Sequence, residues 1–409
     1  MKKIIAFVLM FILIFPVCCF ADEENNEEEE QIPELVEAAS DSAEEPNLNS
    51  RAAIIYDRNS KEVIYGKEEN TKRKMASTTK IMTCMVVLEK GELTDTVIVS
   101  KKAAGTGGSR VGLKTGDKVS VQDLLYGLML CSGNDAAVAL AEHVGGCVEG
   151  FADLMNEKAR QLNLSNTHFV TPHGLDNEEH YTTAYELAIM ADNALKNNTF
   201  SSIVGTKNIT ININGKPRNL SNTNELLGSM AGVYGVKTGF TNGANRCLVT
   251  SCKRENLDII TVVLGADTKK FRTQDSIKLI NYAMNNYKEI DMENKIQDEF
   301  QKWKKENKDK IYINKGVKNT TEYKLEEQLN NYITIKNTQE NDVKIEINTL
   351  NYYEAPLQEG TTIGVLTVKV SGQVKLIKNI QVAQTVEKKN MINYMKELIE
   401  KSCLNNITK

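Results

Sequence analysis

Residues 78–90 read TTKIMTCMVVLEK and stop at Gly91, a helical stretch that is apolar on almost every side. A helix without a polar face belongs in the middle of a domain, so the chain around it must supply layers to cover it. At 409 residues there is length for that domain and for one or two more. Charged residues at 25% are ordinary for a soluble globular chain and exclude a disordered or fibrous one. The apolar run nearest to spanning length lies at the extreme N-terminus, which excludes a polytopic membrane protein.

That run, IIAFVLMFILIF at 4–15, follows Lys2 and Lys3 and precedes Cys19-Phe20-Ala21, the layout of an export signal cleaved after Ala21. It is short for an uncleaved anchor, and Pro16-Val17 is a poor context for a lipid on Cys18 or Cys19. Residues 22–46 hold 12 acids and no base, so 22–49 reads as a solvated, disordered linker. The rest is mildly basic, 48 Lys+Arg against 42 Asp+Glu, without an aromatic-interleaved stripe, so no nucleic-acid partner is expected. The cysteines beyond the signal sit mostly in apolar runs and form no C-x-x-C, so they read as small core hydrophobes. Outside the cytoplasm a disulfide is permitted but not needed.

Residues 52–56 and 62–65 read as a hairpin around Asp57-Arg58-Asn59-Ser60, and 247–250 with 259–264 as a second one. Helices are expected over 121–144 (two, broken at Ser132-Gly133-Asn134), 151–162, 183–195 and 276–287, the last packing on the second hairpin. After a charged joint at 295–310, short alternating strands with glycine turns over 311–386 predict a small all-β domain. Finally, 388–403 places Met391, Ile392, Met395, Leu398 and Ile399 on one helical face, as in a helix lying in a membrane interface. The competing reading is a helix docked on the β domain or fraying in solvent. The domains are therefore a signal (1–21), a linker (22–49), a main domain (50–290), a small β domain (291–386) and an amphipathic helix (387–409).

Three short signatures carry the chemistry: Ser77-Thr78-Thr79-Lys80, Ser132-Gly133-Asn134 and Lys237-Thr238-Gly239. In the first, Ser77 and Lys80 fall about one helical turn apart on one face. A serine hydroxyl attacks only if a neighbour takes its proton, and a lysine can do so only when neutral. Burial and a second cation lower a lysine pKa, and a drop of about 3 units corresponds to roughly 4 kcal/mol. Lys237 is the candidate second cation. Each signature alone is weak, as Lys114-Thr115-Gly116 shows: it precedes an obvious turn and reads as a surface loop without chemistry. Order, spacing and apolar context together distinguish the other set.

With ASTTKIMT (76–83), SGNDAAVAL (132–140), HGLD (173–176) and GVKTG (235–239), the chain resembles the low-molecular-mass penicillin-binding proteins, serine-type D-alanyl-D-alanine carboxypeptidases. The resemblance covers 52–287, and APLQEGTTIG (355–364) extends it into the β domain. Met75 stands where such enzymes usually have proline, which leaves only the entry to the helix open. The resemblance implies an α+β catalytic domain, an α/β/α sandwich of the β-lactamase/transpeptidase kind, followed by the small β-sandwich and the terminal helix. It implies that Ser77 attacks the carbonyl between the terminal D-alanines of a peptidoglycan stem peptide, with Lys80 as base and Ser132 relaying a proton to the leaving amine. Asn134 would hold the substrate amide, and Lys237, Thr238 and Gly239 would line the subsite of the terminal carboxylate. Amides of Ser77 and Phe240 would form the oxyanion hole. Arg272 matches a further carboxylate-binding arginine, against the reading of an ordinary helix-entry arginine. β-Lactams are the expected covalent inhibitors. No cofactor or metal is called for, and the expected location is the outer face of the cell membrane or the wall.

Other readings fit less well. A class A β-lactamase needs a glutamate in an E-x-x-L-N stretch, and 157–163 has the wrong spacing. A Ser-His-Asp hydrolase would have to use His143, His168, His173 or His180, and no G-x-S-x-G elbow is present; His173 reads as a loop buttress. Zinc on His168, His173, Asp176 and His180 finds no H-E-x-x-H spacing. A wall-binding protein without catalysis would not need the full Ser77, Lys80 and Lys237 set. Endopeptidase action on cross-links, a similar bond, stays open.

Overall fold

The computed structural model describes residues 44–307, 310–328 and 330–407. The expected export signal and residues 22–43 of the expected linker lie outside the described residues. Two compact units divide the chain: Val63–Asn285 with the segment ending at Arg58, and Asn286–Lys409 with the turn Asn59–Glu62. Residues 48–50, at the end of the expected linker and the start of the main domain, pack on the first unit. Leu48 is buried, Asn49 bonds Asp267, and the Leu48 and Ser50 carbonyls accept from Lys67. A leucine among the linker's last residues is enough to bring this end onto the fold.

In the first unit, β1 (Ala52–Asp57) and β2 (Val63–Lys67) form a hairpin. A 3-10 turn, Ala76–Thr79, then leads into α1 (Lys80–Lys90). Next come β3 (Thr96–Ile98), α2 (Lys101–Ala104), β4 (Lys118–Ser120), α3 (Val121–Leu130), α4 (Asn134–Gly145) and α5 (Val148–Gln161). They are followed by α6 (Ala184–Ala194), α7 (Asn198–Val204) and the hairpin β5 (Asn208–Ile213) with β6 (Lys216–Ser221). β7 (Val233–Thr241), β8 (Asn245–Arg254), β9 (Leu257–Ala266) and α8 (Lys269–Asn286) complete the unit. The main sheet is antiparallel in the order β2-β1-β9-β8-β7, so β7 is an edge strand.

Strand alternation sorts this sheet into two buried faces. Ile54, Tyr56, Val249, Ile260 and Val262 join one apolar cluster with Met82 and Val86 of α1 and Leu187 of α6. Ile55, Ile259 and Val263 point the other way and are equally buried. Tyr65, opposite Ile55, meets Tyr282 of α8 with ring centroids 6.2 Å apart. Helices therefore cover both faces, and α1 lies inside as its composition demands. Ile81, Met82, Val86 and Val87 of α1 are essentially inaccessible, each contributing about 1.5–3 kcal/mol. Gly91 ends α1, its amide donating to the Val87 carbonyl at 2.8 Å.

The second unit comprises β10 (Tyr287–Asp291), α9 (Glu293–Asn307), β11 (Tyr312–Asn314), β12 (Tyr323–Leu325) and β13 (Tyr332–Lys336). It continues with β14 (Val343–Thr349), β15 (Tyr352–Glu354), β16 (Thr362–Val370), β17 (Gln373–Val382) and α10 (Met391–Ile407). Its largest sheet runs β12-β17-β16-β14. One expectation is corrected here: the charged joint at 295–310 is mostly α9. Ile296 and Phe300 are one turn apart and buried in a core with Ile333, Leu366, Val368 and Ile380, while none of the helix's lysines and glutamates is buried. On α10, Met391, Ile392, Met395, Leu398 and Ile399 are exposed.

Candidate active site

Ser77 lies in the 3-10 turn, not in the first turn of α1. Met75 makes a sound entry: its carbonyl accepts from the amide and the hydroxyl of Thr78 at 3.2 and 2.6 Å. Ala76 adopts a left-handed φ of 48°, a conformation that costs a non-glycine residue about 1–2 kcal/mol. Lys80, the first residue of α1, is wholly buried. Its Nζ donates to Ser77 Oγ at 2.9 Å, Asn134 Oδ1 at 2.8 Å and the His173 carbonyl at 3.0 Å.

The second signature sits in the break between α3 and α4. Ser132 is buried and also left-handed, with φ 58°, so the chain turns sharply between the two helices. The Asn134 amide donates to Ser109, and its Nδ2 to Gly107 at 2.7 Å, which fixes the orientation of the side-chain amide. Asp135, which sequence reading passed over, is fully buried and accepts from the amides of Val111, Gly112, Leu113 and Ala136. It ties the 107–113 loop to the motif. Lys114-Thr115-Gly116 is an exposed turn away from this network.

The third signature is on β7. Lys237 is buried, and its Nζ donates to the Thr238 carbonyl at 2.9 Å. A Cβ on Gly239 would stand 3.1 Å from the Ser77 amide nitrogen, close enough that a side chain there would press the nucleophile's turn back by a few tenths of an ångström. The Phe240 ring lies under the Arg246 guanidinium, 3.9 Å from its centroid. Thr223, absent from the sequence reading, links the end of α3 to the third signature: its amide donates to the Leu130 carbonyl at 3.2 Å, and its hydroxyl meets that of Thr238 at 2.7 Å. Arg272, in the first turn of α8, is buried and pairs with Glu225 at 3.6 Å. Its charge reaches Cys247, which faces Gly239 across the sheet; burial pushes that thiol up to about 11 while Arg272 opposes the shift.

The HGLD loop closes the site from the side. Gly174 has φ 88°, and a Cβ there would fall 1.9 Å from the Ala76 carbonyl oxygen. Asp176 accepts from the Thr241 hydroxyl at 2.7 Å and the Gly243 amide at 2.9 Å. The loop thus touches both the nucleophile's turn and the end of β7. His180 accepts from the Val170 amide through Nδ1 and meets the Thr79 hydroxyl through Nε2, so both ring nitrogens are occupied. Burial lowers His180 to about 4; burial first, then the charge of Lys80, lowers His173 to about 3.

Known proteins share this arrangement of sequence and fold. The family model described as D-alanyl-D-alanine carboxypeptidase matches residues 39–268. D-alanyl-D-alanine carboxypeptidase DacF of Bacillus subtilis is 35% identical over 353 residues, 85% of this chain and 88% of its own. DacC of Escherichia coli is 40% identical over 259 residues, 60% of this chain and 64% of its own. Among solved structures, penicillin binding protein 5 from Haemophilus influenzae matches with a TM-score of 0.72 at 30% identity, covering 84% of this chain and 99% of that one. A Streptomyces DD-transpeptidase matches with a TM-score of 0.56 at 36% identity, covering 58% and 98%. A serine, a buried amine and an edge strand converging in a chain with these relatives lead to one assignment: the protein belongs to the D-alanyl-D-alanine carboxypeptidase family of serine peptidases.

Proposed function

We propose that the protein removes the terminal D-alanine from peptidoglycan stem pentapeptides through an acyl-enzyme on Ser77. The observation that carries this reading is the fully buried Lys80 amine 2.9 Å from the Ser77 hydroxyl. Neutral Lys80 takes the hydroxyl proton as Oγ attacks the carbonyl of the penultimate D-alanine. The oxyanion is met by the amides of Ser77 and Phe240. Ser132 relays a proton to the leaving nitrogen, so that D-alanine departs as a neutral amine. Asn134 holds the peptide amide, and Lys237, Thr238 and Arg272 bind the terminal carboxylate, with Gly239 leaving room beside Ser77. Water then cleaves the ester and returns the proton to Ser77.

β-Lactams offer Ser77 an acyl group in the same position and would block it covalently. The leader-like N-terminus supports export, and the exposed apolar side chains of α10 support attachment to the outer face of the cell membrane. In this reading the main domain spans 50–290, the β domain 291–386 and the attachment helix 387–409. The Streptomyces neighbour's description as a DD-transpeptidase supports a second outcome for the same acyl-enzyme, transfer to an amine. The test is D-alanine release from defined muropeptides, with and without penicillin and with an added amine acceptor. Release that penicillin abolishes supports the proposal; penicillin labelling with neither release nor transfer supports a wall-binding role instead.

A further inference from the structure

Outside the three signatures, one acidic side chain reaches a cation that the proposed reaction uses. The chain at 223–224 runs along β7, the sheet edge: Thr223 bonds Thr238, and Asn224 Nδ2 donates to the Gly235 carbonyl at 2.9 Å. The next residue, Glu225, turns its carboxylate onto the first turn of α8. Oε1 pairs with Lys269, while Oε2 accepts from the Thr273 hydroxyl at 3.2 Å and lies 3.6 Å from Arg272 Nη2. The Arg272 side chain is 6% exposed and that of Glu225 18% exposed, so solvent screens this pair poorly.

We propose that Glu225 is a specificity-determining residue, a resident carboxylate that shares Arg272 with the substrate's terminal carboxylate and weakens recognition of that group. The inference rests on the reading above that Arg272 binds the carboxylate. An anion entering beside Glu225 meets a guanidinium whose charge is already partly cancelled, and it is repelled by the acid itself. The 3.6 Å separation of Nη2 and Oε2 is longer than the bonds of a tight arginine–carboxylate fork, so a second anion can compete with Glu225 for the guanidinium. Glu225 keeps Lys269 and Thr273 when it does, and no buried charge is stranded. Terminal-carboxylate affinity is thereby held low, and the stem peptide must bring further contacts to bind.

The test compares a peptide ending in D-Ala-D-Ala with the same peptide carrying a terminal amide. Glu225→Gln lowers KM for the acid by about threefold to tenfold, leaves its kcat within about twofold, and does not change the amide. Lys269→Gln, which leaves Glu225 more dependent on Arg272, raises KM for the acid. The acylation rate with penicillin and with its methyl ester gives the same comparison independently of D-alanine release. An acid KM that is unchanged or higher in Glu225→Gln overturns the proposal, as does an equal shift for acid and amide. Wild-type protein that treats acid and amide alike removes Arg272 from carboxylate binding, and the role of Glu225 falls with it. Wild type that discriminates while Glu225→Gln changes nothing removes only Glu225.

Discussion

Asn134 Oδ1 stands 2.8 Å from Lys80 Nζ while the Nδ2 of the same side chain is held by the Gly107 carbonyl. The amide cannot turn over without setting an N–H against the amine. The His173 carbonyl is likewise only an acceptor. Both of these partners demand N–H groups, and a neutral amine that satisfies them can turn its lone pair toward the Ser77 hydroxyl, 2.9 Å away. The network chooses the base's target before substrate arrives.

Lys80→Arg tests this directly. Arginine keeps the positive charge but does not give up its proton in proteins. Acylation by fluorescent penicillin should fall by about a hundredfold or more, the usual scale of a lost general base. Near-wild-type acylation in this variant would falsify the neutral-amine mechanism.

Asn134→Asp places a carboxylate where Lys80 now meets an amide oxygen. An adjacent anion favours the ammonium, so the rising limb of the acylation-rate pH profile should move up by about one unit or more. The rate at neutral pH should fall at least about tenfold. A profile that keeps its position would mean that the limb belongs to another group.

Gly174→Ala puts a Cβ 1.9 Å from a backbone oxygen at a φ of 88°. No rotamer relieves a clash with backbone, so a loss of roughly 3 kcal/mol or more is expected, read as a drop in the urea midpoint. A midpoint within error of wild type would show that the HGLD loop does not press on Ala76.

Histidine burial gives the fold an acid limb. His173 and His180 are held at about 3 and about 4, against an ordinary value of 6.5. Between those values and about 6.5 the unfolded chain binds protons that the folded protein refuses, so their contribution is complete above pH ~6.5 and is lost as the pH falls. Each can remove up to about 1.4 kcal/mol per pH unit in that window. Urea unfolding should give a flat free energy from pH 8 to 7 and a falling one from about 6 to 5. A free energy that rises on acidification would reverse the sign of this effect.

Deleting residues 388–409 should move the protein from the membrane to the soluble fraction with its penicillin labelling intact. Unchanged fractionation would place the attachment elsewhere in the chain.

The motifs were legible in the sequence because their parts lie within a few residues of one another and α1 has no face for solvent. The side chains that tie the motifs together were less so. Asp135 and the His173 carbonyl act on or through backbone groups, which no residue type advertises, and Thr223 bonds Thr238 from a loop with no motif of its own. Glu225 is an ordinary surface acid until the fold brings α8 beside it. The joint at 295–310 misled because charge outnumbers its buried side chains, although Ile296 and Phe300 four apart carried a helical signal. The β5–β6 hairpin was passed over despite Asn214-Gly215, whose φ values of 53° and 76° suit a tight two-residue turn.

The central claim is that Ser77 carries the acyl group. Intact-mass measurement after brief exposure to penicillin, followed by mapping of the modified peptide, reads it most directly. One adduct on the peptide containing Ser77, absent in Ser77→Ala, is the predicted result. An adduct that persists in Ser77→Ala, or that maps to another residue, would contradict the account.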